Sequence, residues 1–194
     1  MTVAASPQVT RIGDLSPADR ERVEEIVAGT GQFSEAEIEV ALEVFDAGIG
    51  LGVGLGEMLG QGLGELLGKG EQPLDPDYKF VGAFDGSGTL LGYACYGPTP
   101  QTDRAWDLYW IVVAKETHGR GVGSRILAEV ERRLIAERAR ILLIETSARA
   151  DYEATRTFYA SRGYIEEARI ADFYAPSDDR VLYTKQLISL NAGI

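Results

Sequence analysis

The stretch His118-Gly119-Arg120-Gly121-Val122-Gly123-Ser124 decides how this chain is read. An apolar run, 108–113, precedes it, and a long amphipathic run, 124–138, follows it. Strand, glycine loop and helix in that order turn the unbonded N–H groups of a helix start towards an anion. Glycine at alternate positions lets the backbone approach that anion with no Cβ in the way. The loop lacks the G-K-[ST] of a nucleotide P-loop, and it does not fit the G-x-G-x-x-G of a dinucleotide site.

Composition bounds what surrounds this loop. The chain has 194 residues, 45% of them hydrophobic and 25% charged, which suits a soluble domain with its own core. Its formal net charge of −11 argues against nucleic acid or an anionic membrane as partner and favours a cationic one. Cys95 is the sole cysteine and His118 the sole histidine, so neither an intrachain disulfide nor a zinc site of the usual His/Cys type is expected. No metal is expected, and the default location is cytoplasmic. Residues 1–8 show no basic region followed by an apolar core, the pattern of a secretory leader.

Working outward, residues 9–15 read as a first strand. Ser16-Pro17 then starts a helix, with a capping hydroxyl and proline at the first helical position. Val23, Ile26 and Val27 form its apolar stripe. Ser34 with Glu37 is a capping-box pattern that opens a second helix to about residue 47. Residues 79–85 and 89–96, joined through Gly86-Ser87-Gly88, form a β-hairpin. Residues 105–113 are the strand that feeds the glycine loop. The helix after the loop carries Ile126, Leu127, Val130, Leu134 and Ile135 at spacings of three and four. An aliphatic strand at 141–144, a helix at 152–162 and strands at 164–170 and 181–187 complete the chain, the last two joined through 172–179. The order is βααβββαβαββ, an α/β (α+β) class with a mixed, mostly antiparallel central sheet and helices on both faces. One domain is expected over 9–188, with short tails at 1–8 and 189–194.

Segment 48–70 interrupts this order. It holds ten glycines, all at even positions, with Ile49, Leu51, Val53, Leu55, Leu59, Leu63 and Leu67 at odd ones. As an extended chain it has a glycine face and an aliphatic face. As a helix its glycines wind into a groove. Glycine costs roughly 0.8–1 kcal/mol per helical position, so neither form is stable alone. A substrate-side lid and a self-association surface are both open readings. Glu57 and Glu65 make a membrane span costly.

Two motifs in this order resemble the GNAT superfamily of N-acetyltransferases. The family carries Q/R-x-x-G-x-G/A after its fourth strand, where this chain has His118-x-x-Gly121-x-Gly123. A later helix of the family ends in A-x-x-x-F-Y-x-x-x-G-F/Y, and Ala154, Phe158, Tyr159, Gly163 and Tyr164 match it. The resemblance covers 8–188 apart from the insertion and implies the GNAT fold with acetyl-CoA as cosubstrate. The chain departs from the family at His118, at Lys115 where proline is common, and at Tyr152 where asparagine is frequent.

The resemblance implies that Gly119, Arg120, Gly121, Val122, Gly123 and Ser124, with His118, hold the CoA pyrophosphate. Ile111, Val112 and Val113 pair with pantetheine like an added strand, and Thr155 and Tyr159 line the cofactor from the later helix. The implied reaction is direct attack of a primary amine on the thioester. Tyr159 is the general acid for the leaving thiolate, or else packs against the cofactor. Asp107, Glu145 and Glu116 are candidate bases, each also readable as a solvated surface carboxylate, Glu116 most readily. Asp107 and Tyr109 share a strand face, and Asp172-Phe173-Tyr174 is expected in a loop closing the acceptor pocket. The implied partner is a small-molecule or protein amine of cationic character, with a homodimer as the alternative to a monomer. A second reading keeps the fold as an acyl-CoA-binding module whose glycine-rich insertion mediates self-association or surface assembly.

Overall fold

The computed structural model describes residues 8–50 and 78–188. Most of the 48–70 segment lies outside the described residues, as do the tails at 1–7 and 189–194, and the lid and assembly readings fall there with it. The elements are β1 (Arg11–Gly13), α1 (Arg20–Thr30), α2 (Glu35–Gly48), β2 (Lys79–Phe84), β3 (Leu90–Pro98), β4 (Ala105–Val113), α3 (Val122–Ala136), β5 (Ile141–Ser147), α4 (Glu153–Ala160), β6 (Ile165–Ala175) and β7 (Asp178–Gln186). Their order is the expected βααβββαβαββ. The seven strands form a mixed, mostly antiparallel sheet in the order β1-β2-β3-β4-β5-β7-β6. Two compact units divide the chain: 8–50, 78–96 and 110–130 belong to the first, 97–109 and 131–188 to the second. No described helix is long and apolar enough to cross a membrane.

In the first unit, Ser34 and Glu37 close the reciprocal cap that starts α2. The Glu37 carboxylate accepts from Ser34 N–H at 2.7 Å, and Ser34 Oγ accepts from Glu37 N–H at 3.3 Å. Asp85 Oδ1 accepts the N–H groups of Ser87 and Thr89, both at 2.9 Å, and so builds the β2–β3 turn. The apolar stripes of α1 and α2, including Val23, Ile26, Val27 and Phe45, pack with Phe80, Phe84, Leu90, Tyr93 and Val112 in one core. Phe45 meets Phe80 edge to face at 5.3 Å.

The end of β4 is fixed against β3 in this unit. Ala114 N–H donates to Leu91 C=O at 2.9 Å. A Cβ built on Gly92 would lie 2.6 Å from Val112 O and 3.0 Å from Val113 Cα, so only glycine allows the two backbones to approach this closely. Backbone groups of successive strand residues point to opposite edges. With Ala114 and Val112 turned towards β3, the N–H and C=O of Ile111 and Val113 face away from it.

The second unit pairs β4 with β5 in parallel, from Ala105↔Ile141 to Leu108↔Ile144. β5 and β7 are antiparallel from Ile141↔Gln186 to Ser147↔Arg180, and β7 pairs with β6. Leu108, Ile144 and Tyr183 therefore share one face, and Asp107, Leu143 and Glu145 share the other. Tyr159 of α4 packs against the rings of Tyr164 and Tyr183, at 5.8 and 6.5 Å, and so covers the first of these faces. Glu131 ties this side together, accepting from Tyr164 Oη at 2.9 Å and Lys185 Nζ at 2.8 Å.

Two expectations are corrected in this unit. β5 runs to Ser147, so Glu145 lies within a strand. Asp172-Phe173-Tyr174 is not in a loop: β6 continues to Ala175 and only two residues separate it from β7. The Asp-, Pro- and Ser-rich composition of 172–179 suggested a long connection. Instead Asp172 sits at φ +52° and its carboxylate accepts Ser177 N–H at 2.6 Å, which makes a bulge and a tight turn from those residues.

Gly92→Ala is expected to lower unfolding stability by about 1–3 kcal/mol through the clash with Val112 O. Gly86→Ala, whose nearest neighbour is Thr10 Cγ2 at 3.8 Å, is expected to stay within about 0.5 kcal/mol. Urea denaturation of both variants makes the comparison, and equal midpoints would contradict the close approach.

Candidate active site

The glycine loop of the first unit begins where β4 ends. Thr117 is fully buried, and both its N–H and its Oγ1 donate to Ala114 C=O at 2.8 Å. That closes a tight turn over Lys115–Thr117. Gly119 and Gly121 then adopt φ +73° and +77°, a region that other residues rarely enter. A Cβ at either position would meet nothing within 4 Å, so space is not what requires glycine there; the backbone angle is. The first helical bond of α3 runs from Arg125 N–H to Gly121 C=O at 3.1 Å. The N–H groups of Val122 and Gly123 lie ahead of that bond, at the start of the helix. The loop thus presents consecutive donors at the positive end of a helix dipole, an arrangement fitted to a phosphate or pyrophosphate.

His118 takes a different place from the one expected for a phosphate-side residue. Its side chain folds back onto β4, with Nε2 3.0 Å from Val113 O, so the tautomer protonated at Nε2 donates to that carbonyl. His118 therefore covers one of the two backbone positions that point away from β3. Arg125 is also engaged, with Nη1 3.0 Å from Val9 O. Arg120 is exposed. Glu116, the third candidate base, is tied to Arg22 at 2.6 Å on the exposed surface of the first unit.

In the second unit, Asp107 and Glu145 come together on the face opposite Tyr159. Asp107 is half-buried, and its Oδ2 accepts from Thr99 Oγ1 at 2.8 Å. Burial raises its carboxyl above the usual range, the Thr99 hydrogen bond acts against this, and the nearby Glu145 charge adds to the rise. Glu145 pairs with Arg180 and accepts a hydrogen bond from Tyr174 Oη. The Arg180 guanidinium also lies 5.0 Å from the centre of the Phe173 ring. The Arg180 charge also acts against the rise at Asp107, but Arg180 pairs directly with Glu145, while the hydrogen bond to Asp107 comes from the neutral Thr99 hydroxyl.

Tyr159 is 4% exposed, and burial pushes its phenol up. It stays protonated across the physiological range and so can offer a proton but not act as a base. Thr155, one turn earlier on α4, is half-buried. Neither Thr99 nor Arg180 was legible as a site residue. Thr99 sits in a proline-bounded loop without periodicity, and Arg180 reaches Glu145 only through a cross-strand register that a sequence pattern does not reveal.

This fold and loop have close counterparts. A family model for the acetyltransferase (GNAT) domain matches residues 76–166. A protein of the GNAT acetyltransferase family from Desulfovibrio desulfuricans is 34% identical, with a TM-score of 0.74, and the match covers 92% of this chain and 99% of that one. At 13% identity and a TM-score of 0.65, an aminoglycoside 6'-N-acetyltransferase complexed with coenzyme A shares the fold over 93% of this chain and 98% of its own. A ribosomal-protein-alanine N-acetyltransferase from Brucella melitensis does so at 16% and 0.61, over 91% and 99%. No curated protein matches the chain in sequence. The chain belongs to the GNAT family of acetyltransferases. Enzymes of this family draw their acetyl group from acetyl-CoA.

Removing the Thr99 hydrogen bond is expected to raise the Asp107 carboxyl further, because that bond favours the ionised form. A ¹³C-detected carboxyl titration of Thr99→Val should place the Asp107 midpoint at higher pH than in the unsubstituted chain. An unchanged or lower midpoint would contradict the assignment.

Proposed function

We propose that the protein transfers an acetyl group from acetyl-CoA to a primary amine by direct attack. The observation that carries this reading is the glycine loop at Gly119–Ser124, whose two left-handed glycines lead into the start of α3.

The loop N–H groups and α3 dipole hold the diphosphate of CoA. The outward backbone groups of Ile111, with Val112 and Val113 beside them, pair with an amide of pantetheine as an added strand would, while His118 holds the Val113 carbonyl. Acetyl-CoA supplies a thioester carbonyl for the amine to attack. Asp107 accepts the proton that the attacking nitrogen loses, directly or through water, and Thr99 orients it. Glu145 supports this role by adding negative charge beside Asp107 while remaining paired to Arg180. The outward N–H at Val113 is the backbone donor for the oxyanion. Tyr159 donates its hydroxyl hydrogen bond to the departing sulfur. A thiolate with a pKa of about 8.5 is a weaker base than a phenolate raised above 10, so the hydrogen bond rather than complete proton transfer does most of the stabilising.

The acceptor is an amine of cationic character, a small molecule or a protein terminus or side chain. The net charge of −11 supports a cation, as do the carboxylates and exposed Tyr109, Phe173 and Tyr174 of the Asp107–Glu145 face. Polyamines, aminoglycosides, amino acids and lysine- or alanine-ended peptides, tested with acetyl-CoA by thiol release, cover this range.

With the best acceptor of that screen, Tyr159→Phe is expected to reduce kcat by about 100-fold while changing the KM for acetyl-CoA little. An unchanged kcat would remove Tyr159 from the reaction, and release of no thiol with any acceptor would contradict the proposed activity.

A further inference from the structure

In the second unit the helical contacts fall on one face of the sheet. Tyr159 of α4 meets Tyr183, and Glu131 near the end of α3 bonds Lys185, which lies on the same side of β7. The opposite face, with Asp107 and Glu145, has no such helix of this unit against it among the described residues. Its register sets Leu143 beside Asp107, Leu182 beside Glu145 and Ile170 beside Arg180. Leu143 and Leu182 are half-buried, while Ile170, Phe173 and Tyr174 are about half exposed. Phe173 and Tyr174 reach this face: the first lies 5.0 Å from the Arg180 guanidinium, and the second donates to Glu145. Tyr109, also exposed, stands two residues beyond Asp107 on β4, about 7 Å along the strand. An exposed apolar and aromatic surface of this kind marks a contact with a ligand or partner.

The charges around this surface are almost all committed within the chain. Glu145 pairs with Arg180, Asp172 accepts Ser177 N–H, Asp178 accepts from Ser147 Oγ, and Asp179 pairs with Arg169 at 3.2 Å. Asp107 is the exception. It forms no ion pair among the described residues, and its hydrogen bond comes from the neutral Thr99 hydroxyl. One carboxylate without a paired cation, beside an apolar and aromatic surface, is complementary to one positive charge on an apolar body. A polyamine or an aminoglycoside brings several ammonium groups, and all but one would lie on apolar surface without a counter-charge. We propose that the acceptor is a primary monoamine whose ammonium group meets Asp107 and whose apolar or aromatic body lies on the surface flanked by Tyr109 and Tyr174. This rests on the acetyl-transfer reading above and narrows its acceptor. Tyr109 determines specificity by contact with that body and takes no part in proton transfer.

The test uses the full chain with acetyl-CoA and three acceptors: phenethylamine, spermidine and kanamycin. Thiol release is expected to give a kcat/KM for phenethylamine at least about tenfold above that for either polycation. Tyr109→Ser and Tyr109→Phe then separate the ring from the hydroxyl. The serine variant is expected to raise the KM for phenethylamine about five- to tenfold with kcat little changed, and the phenylalanine variant to stay within twofold of the unsubstituted chain. The KM for acetyl-CoA should stay within twofold in both variants, which excludes a general loss of folding. Three results would overturn the inference. One is a polycation used as well as phenethylamine or better. Another is an unchanged KM for phenethylamine in the serine variant, which would leave Tyr109 outside the acceptor surface. The third is an equal rise in both variants, which would make the hydroxyl the contact. Release of no thiol with any amine would instead remove the acetyl-transfer reading itself, and this inference with it.

Discussion

Two left-handed backbone angles, at Gly119 and Gly121, set the direction in which α3 begins. Without them the chain leaving β4 could not turn through Lys115–Thr117 and still start a helix at Val122. Side-chain space plays no part, because a Cβ would meet nothing at either position. The constraint is purely one of φ, and glycine alone meets it at low cost. In the proposed reading the loop's donors to the diphosphate are backbone groups, so they do not depend on His118 standing where the family usually has glutamine or arginine. What His118 alters is β4, where it caps the Val113 carbonyl.

Period-two alternation separates the chemical groups of the second unit. Asp107 and Glu145 fall on one face of β4 and β5, and the residues against which Tyr159 packs fall on the other. The proposed base and the proposed donor are thus held on opposite faces of one sheet, in different environments. Burial raises the Asp107 carboxyl against the pull of the Thr99 hydrogen bond, which suits the base proposed for it. Tyr159 is enclosed by Phe158, Tyr164 and Tyr183, so its phenol keeps its proton and serves as a donor. Glu145 is held by Arg180 and Tyr174 and acts through its charge.

Most of the element order could be read from the sequence because each signal was local. The Ser34/Glu37 cap, the Asp85–Gly88 turn and the stripe of α3 all operate within a few residues. Segment 172–179 misled for the same reason: Asp, Pro and Ser there look like a loop, whereas Asp172 uses its side chain to complete a bulge within β6. Asp107 was legible as a polar residue in an apolar strand. Its partners were not, since Thr99 lies in a loop and Arg180 in a strand whose register depends on tertiary pairing.

The central claim is that the Gly119–Ser124 loop binds the diphosphate of CoA through its backbone. Parallel calorimetric titrations with CoA and with pantetheine, which has the arm but no diphosphate, test it most directly. The account predicts CoA binding at least about 100-fold tighter than pantetheine, with the difference shrinking as salt is raised. Equal affinity for the two ligands, or no binding of CoA, would contradict it.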